Sequence, residues 1–255
     1  CQADIQLFGE ETFTVADHPE GYKGKIFGSR QVDVETSSFS KSALVDFITD
    51  EILVIADQQP PGFPEGATFR LPVNEFTIAP DQGDKNDPDY PVAFKSLIRV
   101  DALNSHLGIY RSDGAGGLSF VLATDDTVQF SGVGGVVDAI YDIRLGPNDS
   151  LYFILQFENN EKEYLVRQDN AGSGLTLILA EGGLLNSIDD ETVRRVGKIG
   201  TVTPNSVYQA IVDVEVVDEN GNVEGFAQLV LDSFTGSIGC SATDSAINCG
   251  GPRLS

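Results

Sequence analysis

The sequence predicts an all-β protein made of repeated antiparallel sheet units. Val212, Val214 and Val216 recur with the two-residue period of a half-buried strand. In residues 151–157 both alternating sets are mostly apolar, which predicts a strand covered on both faces. The dipeptide Asn220-Gly221 is typical of the tight turn of a β-hairpin.

An internal repeat supports this fold class. Residues 110–123 return as residues 166–180, and both copies contain Arg-x-Asp, a glycine-rich turn and then an aliphatic run. Weaker copies occupy residues 43–56 and 229–236. Four units of about 60 residues account for most of the chain.

Two stretches carry a resemblance to known proteins. Residues 146–153 resemble the Gly-Pro-Asp-Gly-x-Leu-Tyr turn and strand of β-propeller blades. The repeated Arg-x-Asp-(Gly/Asn)-x-Gly motif, followed by an aliphatic run, is similar to repeats of exported bacterial propeller-like surface proteins, over roughly residues 43–236. The resemblance implies a propeller-like fold at a cell surface. A β-sandwich with repeated hairpins is the alternative architecture.

The chain divides into three segments by this pattern. Residues 1–40 form an N-terminal strand segment that either pairs with a neighbouring molecule or closes the fold. Residues 41–236 contain three to four β-repeat units in one domain, and residues 237–255 form a Gly/Ser-rich tail. Within the repeats, residues 184–196 are either a short helix or a loop.

Composition excludes several classes of partner. The 255 residues include 16 basic and 39 acidic side chains, which gives a net charge of −23 and an isoelectric point near 4.1. Such a field repels phosphate backbones and anionic bilayers, so we expect no nucleic-acid partner. Hydrophobic residues make up 41% of the chain, which is enough for a sizeable core.

The cysteines predict an extracytoplasmic location. The start at Cys1 resembles a processed bacterial lipoprotein, although a cleavage boundary that falls at a cysteine explains it equally well. Cys240 and Cys249 flank a loop of small polar residues, which predicts a disulfide and an oxidising compartment. Cys1 then remains for lipid or for an intermolecular bridge. No apolar run reaches the roughly 18 residues that span a bilayer, so a lipid anchor would be the only membrane attachment.

One acidic segment is a candidate calcium site. Oxygen ligands recur at near-alternating positions, and Gly83 and Pro88 bend the chain between them; the ligands are Asp81, Asp84, Asn86, Asp87 and Asp89. The alternative is a solvated acidic loop. A second, weaker candidate has the pattern D-x-N-x-N and comprises Asp218, Asn220 and Asn222.

The sequence carries no catalytic signature. It contains no G-x-S-x-G, C-x-x-C or H-E-x-x-H motif. The two histidines, His18 and His106, both lie in turn-like segments, where a structural role is expected. Arg111 and Arg167 recur at one repeat position, each two residues before an aspartate. They form either a set of binding residues or Arg–Asp pairs that stabilise the turns.

These features predict a non-enzymatic extracytoplasmic surface protein with a structural or adhesive role. Its expected partner is another copy of itself, in a filament or layer, or another surface protein. The candidate pairing strand runs from Ile5 to Val15. The second hypothesis is a monomeric propeller-like lipoprotein that binds a small ligand or a protein, and the third is a carboxylate-based hydrolase.

Overall fold

The computed structural model describes twelve segments of the chain. The regular secondary structure within these segments consists entirely of β-strands. The segments are residues 3–7, 11–15, 27–32, 41–46, 51–78, 92–112, 117–146, 150–170, 172–185, 193–204, 209–232 and 238–243. The predicted all-β class is therefore confirmed. The chain separates into two compact units, Cys1–Thr124 and Asp125–Ser255.

The first unit contains three antiparallel sheets in its described part. Its strands are β1 (Ala3–Leu7), β2 (Glu11–Val15), β3 (Phe27–Val32), β4 (Lys41–Asp46), β5 (Glu51–Ile55), β6 (Thr68–Ile78), β7 (Val92–Arg99), β8 (Ser105–Ser112) and β9 (Leu118–Ala123). The sheet orders are β1-β2, β3-β4-β5 and β6-β7-β8-β9, so each strand pairs with its neighbours in sequence. Strand β2 also contacts β3.

The second unit contains two five-stranded sheets in its described part. Its strands are β10 (Thr127–Phe130), β11 (Val133–Leu145), β12 (Leu151–Phe157), β13 (Asn160–Gln168), β14 (Leu175–Ala180), β15 (Leu184–Leu185), β16 (Arg194–Pro204), β17 (Gln209–Asp218), β18 (Val223–Asp232) and β19 (Ile238–Thr243). The orders are β10-β11-β12-β13-β14 and β15-β16-β17-β18-β19, again antiparallel meanders. The helix considered for residues 184–196 is wrong at both ends, because Leu184 pairs with Arg195, and Leu185 with Arg194, in antiparallel strands.

The four sequence repeats are the last hairpins of four sheets: β4–β5, β8–β9, β13–β14 and β18–β19. Each hairpin has one additional residue in its second strand, which is a β-bulge. These bulge residues are Leu53, Val121, Ile178 and Ser241. The repeated antiparallel sheet units predicted from the sequence are therefore confirmed, and the structure adds a bulge at the same place in each repeat.

A shared connection follows three of the repeats. Four positions after the bulge residue, the backbone adopts a positive φ, of 64°, 71° and 85°, at Asp57, Asp125 and Gly182. The N–H of this residue donates to the first long strand of the next sheet; the acceptors are the carbonyls of Phe69, Val137 and Val196, at 3.0, 2.8 and 2.7 Å. The N–H of each acceptor residue donates back to the residue that follows the left-handed position, at 3.0, 2.9 and 2.8 Å. This reciprocal pair of hydrogen bonds fixes where each new sheet begins.

Each unit has a core of packed sheets. In the first unit, Leu44 and Val54 of the repeat hairpin pack with aromatic side chains of β6, β7 and β8. The rings of Phe69 and Tyr110 meet edge-on, with centroids 4.9 Å apart. In the second unit, buried residues of β12, β13 and β14 form one cluster with β16, β17 and β18. Meanders packed in this way are compatible with the propeller-like and with the sandwich architecture.

Candidate functional site

Most of the predicted site residues lie outside the described part of the chain. These are Cys1, Asp81, Asp84, Asn86, Asp87, Asp89 and Cys249. Cys240 lies in β19, where its backbone is in register with Leu229 of β18. The calcium loop, the Cys240–Cys249 disulfide and lipidation of Cys1 therefore stay predictions.

The weaker calcium candidate is a hydrogen-bonded hairpin turn. Oδ1 of Asp218 accepts the backbone N–H groups of Asn220 and Asn222, both at 2.8 Å. Oδ2 accepts the side-chain amide of Asn222 at 2.8 Å. These bonds, first among them the one from the Asn222 side chain, lower the pKa of Asp218 below 3.8. The D-x-N-x-N pattern is thus accounted for by turn geometry, with both carboxylate oxygens engaged.

Asp101 repeats this arrangement in the first unit. Its Oδ1 accepts the N–H groups of Leu103 and Asn104 at 2.7 and 2.9 Å, and its Oδ2 accepts the Asn104 amide at 2.6 Å. The bond from the Leu103 N–H is the largest contribution that lowers the pKa of Asp101. Both turns therefore depend on an ionised aspartate.

The repeated arginines differ in their surroundings. Arg167 forms an ion pair with Asp169, with Nε and Oδ1 2.6 Å apart, so this copy is an Arg–Asp pair at the turn. Arg111 is buried at the end of β8. Its sequence partner Asp113 lies outside the described residues.

His106 has structural contacts. Its Nδ1 lies 3.2 Å from the Thr124 carbonyl oxygen, and its ring centroid lies 5.9 Å from that of Phe63. These contacts connect the start of β8 to the residue that follows β9. His18 lies outside the described residues.

A group of polar side chains joins the two sheets of the second unit. We define this polar seam as Tyr141, Asp142, Arg144, Gln156, Glu163, Glu181 and Lys198. Its members come from β11, β12, β13, the end of β14 and β16. The seam therefore lies between the two sheets of the second unit.

Glu163 is the centre of the seam. Its Oε2 accepts the N–H of Ile199 in the next sheet at 2.7 Å, and Nζ of Lys198 lies 3.9 Å from its Oε1. Lys198 also donates to Oε2 of Glu181 at 3.1 Å and to the Glu161 carbonyl at 3.3 Å. The Glu163 side chain is only 16% exposed, so these bonds are partly shielded from water.

Asp142 makes the same kind of link farther along β16. Its Oδ2 accepts the N–H of Val202 at 2.7 Å, and its Oδ1 lies 2.8 Å from Nη2 of Arg144. The backbone of Asp142 has a φ of 45°, in a bulge of β11 between Tyr141 and Arg144. Residues other than glycine rarely adopt the left-handed backbone conformation. At Asp142 this conformation occurs together with the hydrogen bond from Val202 to its side chain.

The two accepting carboxylates meet the two irregularities of β16. The register of β16 with β17 shifts between Val196 and Ile199, and again between Ile199 and Val202. A bulge removes N–H groups from the ladder, and the carboxylates of Glu163 and Asp142 satisfy them. The sequence signal for these bulges is Gly197 and Gly200 inside a strand, but Glu163, Asp142 and Lys198 carry no motif.

The electrostatics of the seam favour proton retention. Partial burial lowers the pKa of Lys198, but the hydrogen bond to Glu181 and the charges of Glu163 and Glu181 raise it above 10.5. Burial, followed by the charges of Glu163 and Asp138, raises the pKa of Tyr141 above 10.0. At neutral pH Lys198 is an ammonium ion and Tyr141 a phenol, so both serve as donors rather than as a nucleophile or base.

The chain was compared with protein families, curated proteins and solved structures. It matches no protein-family model and no curated protein. Among solved structures it is similar to a hypothetical protein from Leishmania major, with 14% identity and a TM-score of 0.30. That similarity covers 86% of this chain and 63% of that chain, so the chain spans less than two thirds of the other protein's length.

The described residues lack two features, a metal-binding cluster and a membrane-spanning helix. They contain no group of three or more His, Cys, Asp or Glu side chains arranged to hold a metal ion. They also contain no helix that is long and apolar enough to cross a membrane.

Proposed function

We propose that the protein is a non-enzymatic extracytoplasmic surface protein with a structural role, and that its subunits associate through strand addition at the N-terminal hairpin. The observation that carries this proposal is the pairing of β1. In the described part of the chain β1 pairs with β2 alone, in register from Ala3–Val15 to Leu7–Glu11, and thus lies at the edge of its sheet.

An edge strand offers a row of backbone donors and acceptors to a strand of another molecule. Main-chain hydrogen bonds supply the affinity of such pairing, and the alternation of side chains sets its register. A two-stranded sheet is marginally stable by itself, so a third strand from a neighbour would stabilise β1 and β2. If β1 of one copy pairs with a different edge strand of the next copy, the contact is heterologous, and its repetition extends into a filament or layer.

The use of the ionisable groups supports a structural role over a catalytic one. Glu163 and Asp142 bind backbone N–H groups of a neighbouring strand, and Asp101 and Asp218 stabilise turns. Lys198 is engaged by two carboxylates. These five charged side chains stabilise the fold, as expected of a structural protein.

The proposal is tested by the mass of the purified protein in solution. We expect light scattering in calcium to give masses many times the 27.3 kDa of one chain. A chain without residues 1–16 should lose these large species while it keeps the circular dichroism spectrum of a β protein. Large species that survive the deletion would contradict strand addition by β1.

A mass of one chain under all conditions would overturn the structural role. The hypothesis of a monomeric propeller-like lipoprotein would then replace it. Its ligand would be sought by screening small molecules and surface proteins against the intact monomer.

A further inference from the structure

One face of the last sheet carries a row of side chains that crosses four strands. Leu184 of β15 pairs with Arg195 of β16, Arg195 with Val217 of β17, and Val217 with Val223 of β18. Directly paired residues of antiparallel strands point to the same side of a sheet, so all four lie on one face. We call them the cross-strand row.

Apolar side chains extend this row on the same face. Val193 lies two residues before Arg195, and Phe226 pairs with Glu215, two residues before Val217. Leu184, Val193, Val223 and Phe226 are 53%, 42%, 55% and 61% exposed. On the opposite face of β17, Val212, Val214 and Val216 are at most 1% exposed. The sheet therefore buries one apolar face and leaves a second one in solvent.

Large apolar side chains that are exposed together on one face are typical of an interaction site. Gly197 also keeps this face of the sheet flat, because it has no side chain. A Cβ at this position would lie 2.9 Å from Cβ of Glu215 and 2.9 Å from Cγ1 of Val217. We propose that a second copy of this chain docks on the cross-strand row, face to face and with two-fold symmetry. The inference rests on the proposed function, since it supplies the second surface by which subunits of an assembly meet.

The symmetry of the row favours an identical partner. A two-fold axis parallel to the strands and between β16 and β17 brings Leu184 of one copy over Val223 of the other. The same axis brings Arg195 over Val217, next to Glu215 on the same strand and face. The apolar residues at the two ends of the row thus face each other. The surface is self-complementary, as an isologous interface requires.

The charges of the face are complementary in this arrangement. Two copies with a net charge of −23 repel each other, so they can meet only where positive charge is available locally. Arg195 uses one N–H for the Gly182 carbonyl, at 2.9 Å, and its guanidinium has five donors. In this arrangement Arg195 lies over Val217 of the second copy, two residues from Glu215 on the same face, so each Arg195 can form an ion pair with Glu215 across the interface.

The test is a charge exchange in the full chain, read by sedimentation velocity. We expect Arg195→Glu and Glu215→Arg each to weaken association at this face about tenfold or more. The double variant R195E/E215R should restore it, because the pairs reform with reversed polarity. Phe226→Ser, with no change in charge, should also weaken association. Circular dichroism confirms that each variant is folded.

The outcomes separate this inference from the proposed function. Large assemblies that all four variants leave unchanged would overturn docking on the row and leave strand addition by β1 intact. Dimers that follow the charge-exchange pattern, without larger species, would support the row and overturn strand addition. Single chains of 27.3 kDa in every sample would overturn both.

Discussion

Glu163 and Ile199 join two sheets through one hydrogen bond from a backbone N–H to a carboxylate, at 2.7 Å. The donor lies at a bulge of β16 and the acceptor on β13 of the preceding sheet. Asp142 and Val202 form the same link at 2.7 Å. The two sheets of the second unit are thus attached to each other at the irregularities of β16.

The first prediction concerns this link. Glu163→Ala should lower the free energy of unfolding by about 1 to 3 kcal/mol, because the partly buried N–H of Ile199 loses its acceptor. Urea denaturation followed by circular dichroism measures the change. Glu161→Ala is the matched control: its side chain is exposed on the same strand, and we expect a change within about 0.5 kcal/mol. Equal losses in both variants would show that the carboxylate does not attach the sheets.

The sequence predicted the repeats because their signals are local. Alternating apolar residues and glycine-rich turns specify a hairpin within about 20 residues, and the copies at residues 110–123 and 166–180 became β8–β9 and β13–β14. The copy at residues 229–236 was weaker for a visible reason. The residue pair just before the bulge is Gln228 with Ala242 in this hairpin. In the other three hairpins the corresponding pair consists of two large aliphatic residues.

The polar seam could not be predicted because it depends on the pairing of distant strands. Glu163 and Ile199 are 36 residues apart, and Asp142 and Val202 are 60 apart. Among 39 acidic residues, no spacing distinguishes the two that accept these bonds. Gly197 and Gly200 inside a strand are a local signal for bulges, but the partner of a bulge is fixed only when the sheets pack.

The second prediction concerns the connection after the third repeat. Gly182 has a φ of 85°, so Gly182→Ala should lower the free energy of unfolding by about 1 to 2 kcal/mol. Gly174→Ala, in the turn of the same hairpin, is the control, since its added Cβ meets no atom within 4 Å and its φ is not positive. We expect that control to be neutral or slightly stabilising by thermal denaturation. A loss in Gly174→Ala as large as in Gly182→Ala would contradict the backbone explanation.

The third prediction follows from the turn at Asp218. Its pKa in the folded protein lies below 3.8, so it contributes stability above pH 3.8 that is lost as the pH falls through the folded value. Wild type should therefore be more stable than Asp218→Asn near neutral pH, and the difference should shrink below pH 3.8. Urea denaturation at a series of acidic pH values measures it. Glu219→Gln removes the same charge from an exposed residue of the same turn and is the matched control. The same loss of stability at neutral pH in both variants would show that the hydrogen bonds of Asp218 are not responsible.

The fourth prediction is the alkaline counterpart at Lys198. Because its folded pKa is raised above 10.5, its contribution is complete below pH 10.5 and is lost as the pH rises through the folded value. Lys198→Met should be less stable than wild type at neutral pH by at most about 1 kcal/mol, since the side chain is half exposed. The two proteins should converge in strongly alkaline solution. A difference that stays constant to the alkaline limit would show that the ammonium charge is not responsible.

The fifth prediction concerns calcium at Asp81, Asp84, Asn86, Asp87 and Asp89. A ligand that binds only the folded state stabilises it, by about 2.7 kcal/mol at a hundredfold excess over Kd. Calcium should therefore raise the melting temperature of wild type, while D84N/D87N should lose the shift because hard cations need charged oxygen ligands. E161Q/E219Q removes the same number of charges elsewhere and should keep the full shift. An equal response of both double variants would show that calcium acts on the net charge of −23 rather than at this loop.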